Sequence, residues 1–313
     1  MNPDLHQELR MPRRIFTFLG ALAMASSISC TVRRAEMAEH DHAAPGASAA
    51  AAATVNVPQG TALPPGSQNA RARLDASPRH GEWVMIRTGP SDSVRAWVVY
   101  PERKDNAPVV LVVHEIFGLS TWIRSIADQL AADGYIAIAP DLLTGKVALD
   151  GDTVTQQAAV AAIRTIQPAD YQRQLEAVAR YGMNLPAAQK KYGIVGFCWG
   201  GGASFAHAVL SPTGLGAAVV YYGTSPESAD LARVKVPVLG LYAGDDQRVD
   251  ATIPRADSIM RAIHMPYESH VFDGAGHGFL RAQTDAQRGA ANTRAAEQAW
   301  PLTVGWFRKY LGA

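Results

Sequence analysis

Tyr192-Gly193-Ile194-Val195-Gly196-Phe197-Cys198-Trp199-Gly200-Gly201-Gly202 joins a β-branched apolar run to a glycine-rich helix start, with a cysteine at the junction. Glycines flank that cysteine in a G-x-C-x-G elbow. They fit a sharp turn in which the helix passes close to the strand and the apical side chain is forced outward. Cysteine stands where serine is commoner. A helix N-terminus favours its thiolate, and the backbone N–H of Trp199 is placed to hold an oxyanion. A buried structural cysteine is the plainer alternative, but three glycines opening a helix serve little purpose in ordinary packing. Outward from the elbow, near-continuous apolar runs recur at residues 108–113, 135–139, 217–221 and 237–241. Amphipathic helical patterns separate them, at residues 122–132, 172–181, 253–263 and about 290–310. Residues 83–87 and 95–100 alternate in polarity around Gly89-Pro90-Ser91-Asp92 and read as an initial antiparallel pair. The expected fold class is α/β, a mostly parallel sheet with helices on both faces, whose functional groups gather beyond the carboxyl ends of the strands.

Two further strand ends carry titratable residues. The run 237–241 leads into Gly244-Asp245-Asp246, and residues 268–272 lead into Asp273-Gly274-Ala275-Gly276-His277-Gly278-Phe279. Nucleophile, acid, then histidine is the chain order of an α/β-hydrolase triad. His277 sits in a glycine-rich loop able to reach the elbow, whereas His207 and His264 fall in helical patterns and His270 in a strand, positions that suit packing. One aspartate is needed to hold the histidine tautomer and support the imidazolium. Position alone leaves Asp245 and Asp246 equal candidates, the other being free to satisfy loop backbone donors.

Over residues 79–313 the chain resembles the dienelactone hydrolase (carboxymethylenebutenolidase-like) family. The motifs are His114-Glu115-Ile116-Phe117-Gly118-Leu119, Ala139-Pro140-Asp141-Leu142, Gly196-Phe197-Cys198-Trp199-Gly200-Gly201, Tyr221-Tyr222-Gly223, Gly244-Asp245-Asp246-Gln247-Arg248-Val249 and Ala275-Gly276-His277-Gly278-Phe279. The resemblance implies an α/β-hydrolase fold with Cys198 as nucleophile, Asp246 as triad acid and His277 as base. It implies the N–H groups of Ile116 and Trp199 as oxyanion donors. It also implies that Glu115 contacts the resting thiol and moves when substrate binds. A carboxylate there opposes the helix-terminus effect on the thiol. Arg281 matches one family arginine that pairs with a substrate carboxylate. The second such arginine and the usual tyrosine are missing from Leu143-Thr144-Gly145-Lys146, where Lys146 supplies charge without a planar fork. Trp122, Trp199 and Tyr222 are candidate pocket walls.

The expected function is cysteine-dependent hydrolysis of small carboxylic esters or lactones through an acyl-cysteine, with no cofactor and no metal. The alternative is a non-catalytic ligand-binding protein on the same scaffold. A redox-sensing thiol would lack a resolving cysteine in the domain. Lys+Arg 29 against Asp+Glu 28 gives a net charge of +1, which supplies no basic field for nucleic acid. Two cysteines exclude a disulfide-stapled scaffold. Residues 1–30 read as an export signal, with the twin-arginine-like Arg13-Arg14 ahead of an 18-residue uncharged stretch from Ile15 to Val32. Gly20 and three serines in that stretch argue against a stable membrane span. Met1 and Met11 are both candidate start residues. The protein is expected to be exported, in the periplasm, and monomeric. Lipid anchoring at Cys30 is the variant of that reading, although Ser27 stands where such a signal carries leucine. Residues 31–78 hold no Phe, Trp or Tyr and are rich in alanine and proline, so they are expected to form a flexible tether, with 79–313 as a single catalytic domain. Glu39-His40-Asp41-His42 has metal-binding residue types without a scaffold.

Overall fold

A computed structural model describes residues 62–312. The export signal, Cys30 and the Glu39–His42 cluster lie outside the described residues. Among the described residues, eight strands form one sheet in the order β1-β2-β4-β3-β5-β6-β7-β8. They are β1 (Gly81–Arg87), β2 (Ser93–Val99), β3 (Ala107–Val113), β4 (Ile136–Asp141), β5 (Ala188–Phe197), β6 (Leu215–Tyr221), β7 (Val238–Ala243) and β8 (Tyr267–Phe272). β1 runs antiparallel to β2 and β2 antiparallel to β4, and every later pairing is parallel. The helices are α1 (Ala70–Asp75), α2 (Thr121–Ala132), α3 (Gln156–Ile163), α4 (Pro168–Asn184), α5 (Trp199–Leu210), α6 (Ser228–Leu231), α7 (Gln247–Asp250), α8 (Ile253–Ala262) and α9 (Gly289–Leu311). None of the described helices is long and apolar enough to cross a membrane.

The central strands are buried on both faces because helices cover both. In β3, Val109, Leu111 and Val113 join the core layer under α3, α4, α5 and α8, while Val110 and Val112 join the layer under α1, α2 and α9. That period of two inside an unbroken apolar run is the pattern of a doubly covered strand. The parallel strands therefore end on one rim, where the residues after β3, β5, β6, β7 and β8 converge.

The folded region begins earlier than the sequence suggests. Residues 62–78, expected within the tether, pack on the domain: Pro64, Pro65 and Gly66 are buried. Trp122 Nε1 donates to the Pro65 carbonyl at 3.0 Å and Gln283 Nε2 to the Pro64 carbonyl at 3.0 Å. The Ser67 N–H bonds the Arg281 carbonyl at 2.9 Å. Proline has little backbone freedom to lose, so a few satisfied carbonyls suffice to dock the segment.

The elbow depends on glycines that have no room for a side chain. A Cβ on Gly196 would lie 1.9 Å from the Gly200 carbonyl oxygen, one on Gly200 2.4 Å from the His114 carbonyl oxygen, and one on Gly201 2.6 Å from the Tyr221 carbonyl oxygen. Gly202, one residue further along α5, has only ordinary contacts, the nearest at 3.5 Å. Gly196→Ala is therefore expected to destabilise the protein by about 3 kcal/mol or more, or to prevent folding. Gly202→Ala should be neutral or stabilising by up to about 1 kcal/mol through helix propensity. Chemical denaturation of the two variants checks this, and equal losses in both would contradict the close-approach argument.

Candidate active site

Cys198 is the N-terminal boundary residue of α5, at φ 57° and ψ −117°. A non-glycine residue there is strained, and the surrounding sheet and helix must hold it in place. The Cys198 N–H donates to the Tyr221 carbonyl at 3.0 Å, and its own carbonyl accepts from Gly201 at 3.0 Å. The side chain is left projecting past the strand end, partly exposed. The N–H groups of Ile116 and Trp199 have no hydrogen-bond acceptor among the described residues. Both residues line one cavity with Cys198.

His277 comes from the loop after β8 and meets Asp246 from the loop after β7, with Nδ1 2.5 Å from Asp246 Oδ2. Asp246 is buried, and the His277 side chain is about one third exposed. Burial works against the imidazolium, but hydrogen bonding and charge from Cys198 and Asp246 outweigh it and push His277 up to about 9. Asp245 turns away and pairs with Arg288 at 3.0 Å. The choice left open by position thus resolves to Asp246, and Asp245 binds a guanidinium in place of the expected backbone donors. His207 is fully buried between Tyr192 and Gln172, with burial lowering it to about 4, as suits a packing histidine.

Glu115 is buried, with its side chain 4% exposed, and its Oε1 lies 3.0 Å from Arg281 Nε. The two are not aligned for a hydrogen bond, so this contact is an ion pair. Burial raises Glu115 to about 7 even though Arg281 and His277 pull it down. The resemblance implies a Glu115 contact with the resting thiol. Among the described residues no hydrogen bond joins the two, and Arg281 takes the carboxylate instead. Arg281 also lies over the Phe117 ring at 4.9 Å. Tyr222 lines the Cys198 cavity, its ring 5.2 Å from that of His277, with a buried hydroxyl that has no hydrogen-bond partner among the described residues. Its phenol is held well above the ordinary tyrosine value by burial and by the nearby Glu115 and Cys198.

Two expected pocket residues stand elsewhere. Trp122 does not line the Cys198 cavity. It is buried against Phe197 with its N–H on Pro65, and it borders a separate cavity of about 240 Å³ that also includes Phe117 and Arg281. The inward face of α2 directs it into the core. Lys146 is exposed and lies by Val147, Leu149 and α3, away from Cys198.

Two supporting residues have no role assigned by the sequence, although His114 opens one of its motifs. His114 is buried, bonded through Nδ1 to the Glu115 carbonyl at 2.8 Å and through Nε2 to the Leu142 N–H at 3.2 Å. Burial keeps it neutral by lowering its proton affinity. This bridge fixes the loop that presents Ile116. Asn292, on the buried face of α9, accepts from the Gly276 N–H at 3.0 Å and donates to the Ala282 carbonyl at 2.8 Å, bracketing the His277 loop. An asparagine on a mostly apolar helix face is the only hint of it.

A family model described as the dienelactone hydrolase family matches residues 94–311. A protein of Methylorubrum extorquens, provisionally named carboxymethylenebutenolidase, is 31% identical over 229 residues, covering 69% of this chain and 77% of its own. A relative from Escherichia coli K12 with the same provisional name is 32% identical over 235 residues, covering 71% and 84%. The crystal structure of a provisionally named dienelactone hydrolase from Klebsiella pneumoniae superposes with a TM-score of 0.64 at 26% identity, covering 74% of this chain and 99% of that one. With a strand-end cysteine, an Asp246-held histidine and a family match spanning the sheet from β2 to α9, the chain belongs to the dienelactone hydrolase family of α/β-hydrolases.

Proposed function

We propose that this protein hydrolyses small carboxylic esters and lactones through an acyl intermediate on Cys198. The observation that carries the reading is the strained Cys198 at the head of α5, sharing a rim with a His277 held by Asp246. The names carried by the relatives favour lactones within that class.

In the proposed sequence the Cys198 thiolate attacks the carbonyl carbon, forming a C–S bond. The resulting oxyanion is held by the N–H groups of Ile116 and Trp199. Collapse breaks the C–O bond, and the leaving alkoxide takes a proton from the His277 imidazolium; in a lactone the alcohol stays tethered to the acyl group. His277, now neutral, takes a proton from water, which attacks the thioester and releases the acid and the thiolate. Asp246 keeps the Nδ1 proton in place through both steps. The thiolate itself supports the imidazolium. Its conversion to a neutral thioester removes that support and lowers the proton affinity of His277, so the imidazole stays in the neutral form that deacylation needs.

Glu115 fits a gate on this chemistry. A substrate carboxylate that competes for Arg281 would leave Glu115 buried without its counter-ion, and its proton affinity would rise further. With ligand bound, Glu115 would then be a stronger acceptor for the proton of any Cys198 still held as the thiol, adding to the thiolate that His277 already supports. We propose further that the chain is exported in folded form, the role its N-terminal residues suit.

Cys198→Ala is expected to lower turnover of an activated aryl ester by about 10³-fold or more, and Asp246→Asn by a comparable factor, while Asp245→Asn stays within about threefold. Steady-state kinetics on the full chain decide this. Full turnover by Cys198→Ala would overturn the reading.

The buried carboxylate also predicts a stability effect. The folded state holds the Glu115 proton more tightly than the unfolded chain, with its value raised from 4.5 to about 7. Stability is therefore undiminished below pH 4.5, declines as pH rises through this window, and is lower by a constant amount above 7. Glu115→Gln removes the penalty. Relative to the parent, the variant should gain about 2 kcal/mol between about pH 5 and about pH 8, measured by urea denaturation. A pH-independent difference would show that Glu115 is not buried in this way.

A further inference from the structure

The cavity that carries Cys198 has a volume of about 590 Å³, large enough for a ring and a short chain beyond the reacting ester. Most of its wall is apolar or aromatic, from Ile116, Tyr171, Trp199, Ala203, Ala206 and Pro226. Two charged residues complete it, Arg248 and Asp230. Asp230 has a counter-ion of its own, Arg233 at 3.6 Å. Arg248, exposed at the start of α7, has no side-chain hydrogen bond or ion pair among the described residues. The neighbouring arginines are engaged: Arg281 with Glu115, Arg255 with Glu227 and Arg288 with Asp245. Arg281 is also absent from this wall and borders the smaller cavity beside Phe117.

We infer that Arg248 is a specificity-determining residue, binding a carboxylate that the substrate carries away from its scissile carbonyl. The favoured substrates are then esters or lactones with an apolar or aromatic body and a remote carboxylate. A guanidinium pairs with a carboxylate through two parallel hydrogen bonds, and among the described residues Arg248 holds no protein carboxylate that the incoming group must displace. The apolar wall buries the body of such a ligand, while the rim position leaves its charge partly hydrated. The electrostatic gain is therefore moderate and sensitive to salt. This subsite rests on the hydrolytic reading of Cys198 only for its meaning, since binding there needs no turnover.

The test uses the full chain and two probes, the mono-4-nitrophenyl ester of adipic acid and the methyl ester of that compound, which is its neutral counterpart. Calorimetry on the Cys198→Ala protein measures binding without reaction. The acid is expected to bind about tenfold more tightly than the methyl ester, and Arg248→Gln should bring that ratio to about one. Arg248→Lys should restore part of it. In the Cys198 enzyme the same Arg248→Gln change should raise KM for the acid by about tenfold, with kcat altered by less than about twofold. The proposal is overturned if the acid is not preferred, if Arg248→Gln weakens both probes equally, or if Arg281→Gln rather than Arg248→Gln abolishes the preference. Acid-selective binding that depends on Arg248, without ester turnover by the Cys198 enzyme, would overturn the hydrolytic reading and leave the subsite standing.

Discussion

Helix α5 lies so close to the sheet that only hydrogen atoms fit at Gly196, Gly200 and Gly201. The chain therefore turns from β5 into α5 within one residue, and that residue, Cys198, takes a positive φ. Its sulfur is projected beyond the strand ends, at the helix terminus where backbone N–H groups favour negative charge. Almost every other feature of the site is arranged around that projection. β3 delivers Glu115 and Ile116, β6 delivers Tyr222, β7 Asp246 and β8 His277, each from a parallel strand ending on the same rim.

The electrostatics of the rim form one coupled set. Cys198 and Asp246 raise His277, His277 and Arg281 lower Glu115 against the effect of burial, and Glu115 and Cys198 raise Tyr222. Displacing one charge shifts its neighbours in a fixed direction. On the proposed mechanism a ligand carboxylate at Arg281 would act on the thiol through Glu115, whereas one at the proposed Arg248 subsite would add binding without disturbing that set. The two arginines border different cavities, so the two proposed modes of acid recognition are separable.

Much of this is legible in the sequence. Strands buried on both faces leave unbroken apolar runs, and the elbow glycines mark Cys198 as the candidate nucleophile. The chain order of Cys198, Asp246 and His277 follows from the same pattern. What sequence cannot display is which of two adjacent groups faces inward. Asp245 and Asp246 differ by one residue, yet one meets Arg288 and the other His277. Trp122 looks like a pocket wall until the inward face of α2 puts it against Phe197. The Glu115–Arg281 pair joins residues far apart in the chain with no local signature. Residues 62–78 lack aromatic anchors of their own, and their order comes from partners such as Trp122, Gln283 and Asp128.

The central claim is that the acyl group passes through the Cys198 sulfur. Intact-protein mass spectrometry of the His277→Ala enzyme, mixed with an activated aryl ester and quenched, tests this most directly. Without its base the enzyme should deacylate slowly and accumulate one acyl group, which peptide mapping places on Cys198 and hydroxylamine removes. Turnover by the parent enzyme without any Cys198 adduct in this variant, or an adduct on another residue, would contradict it.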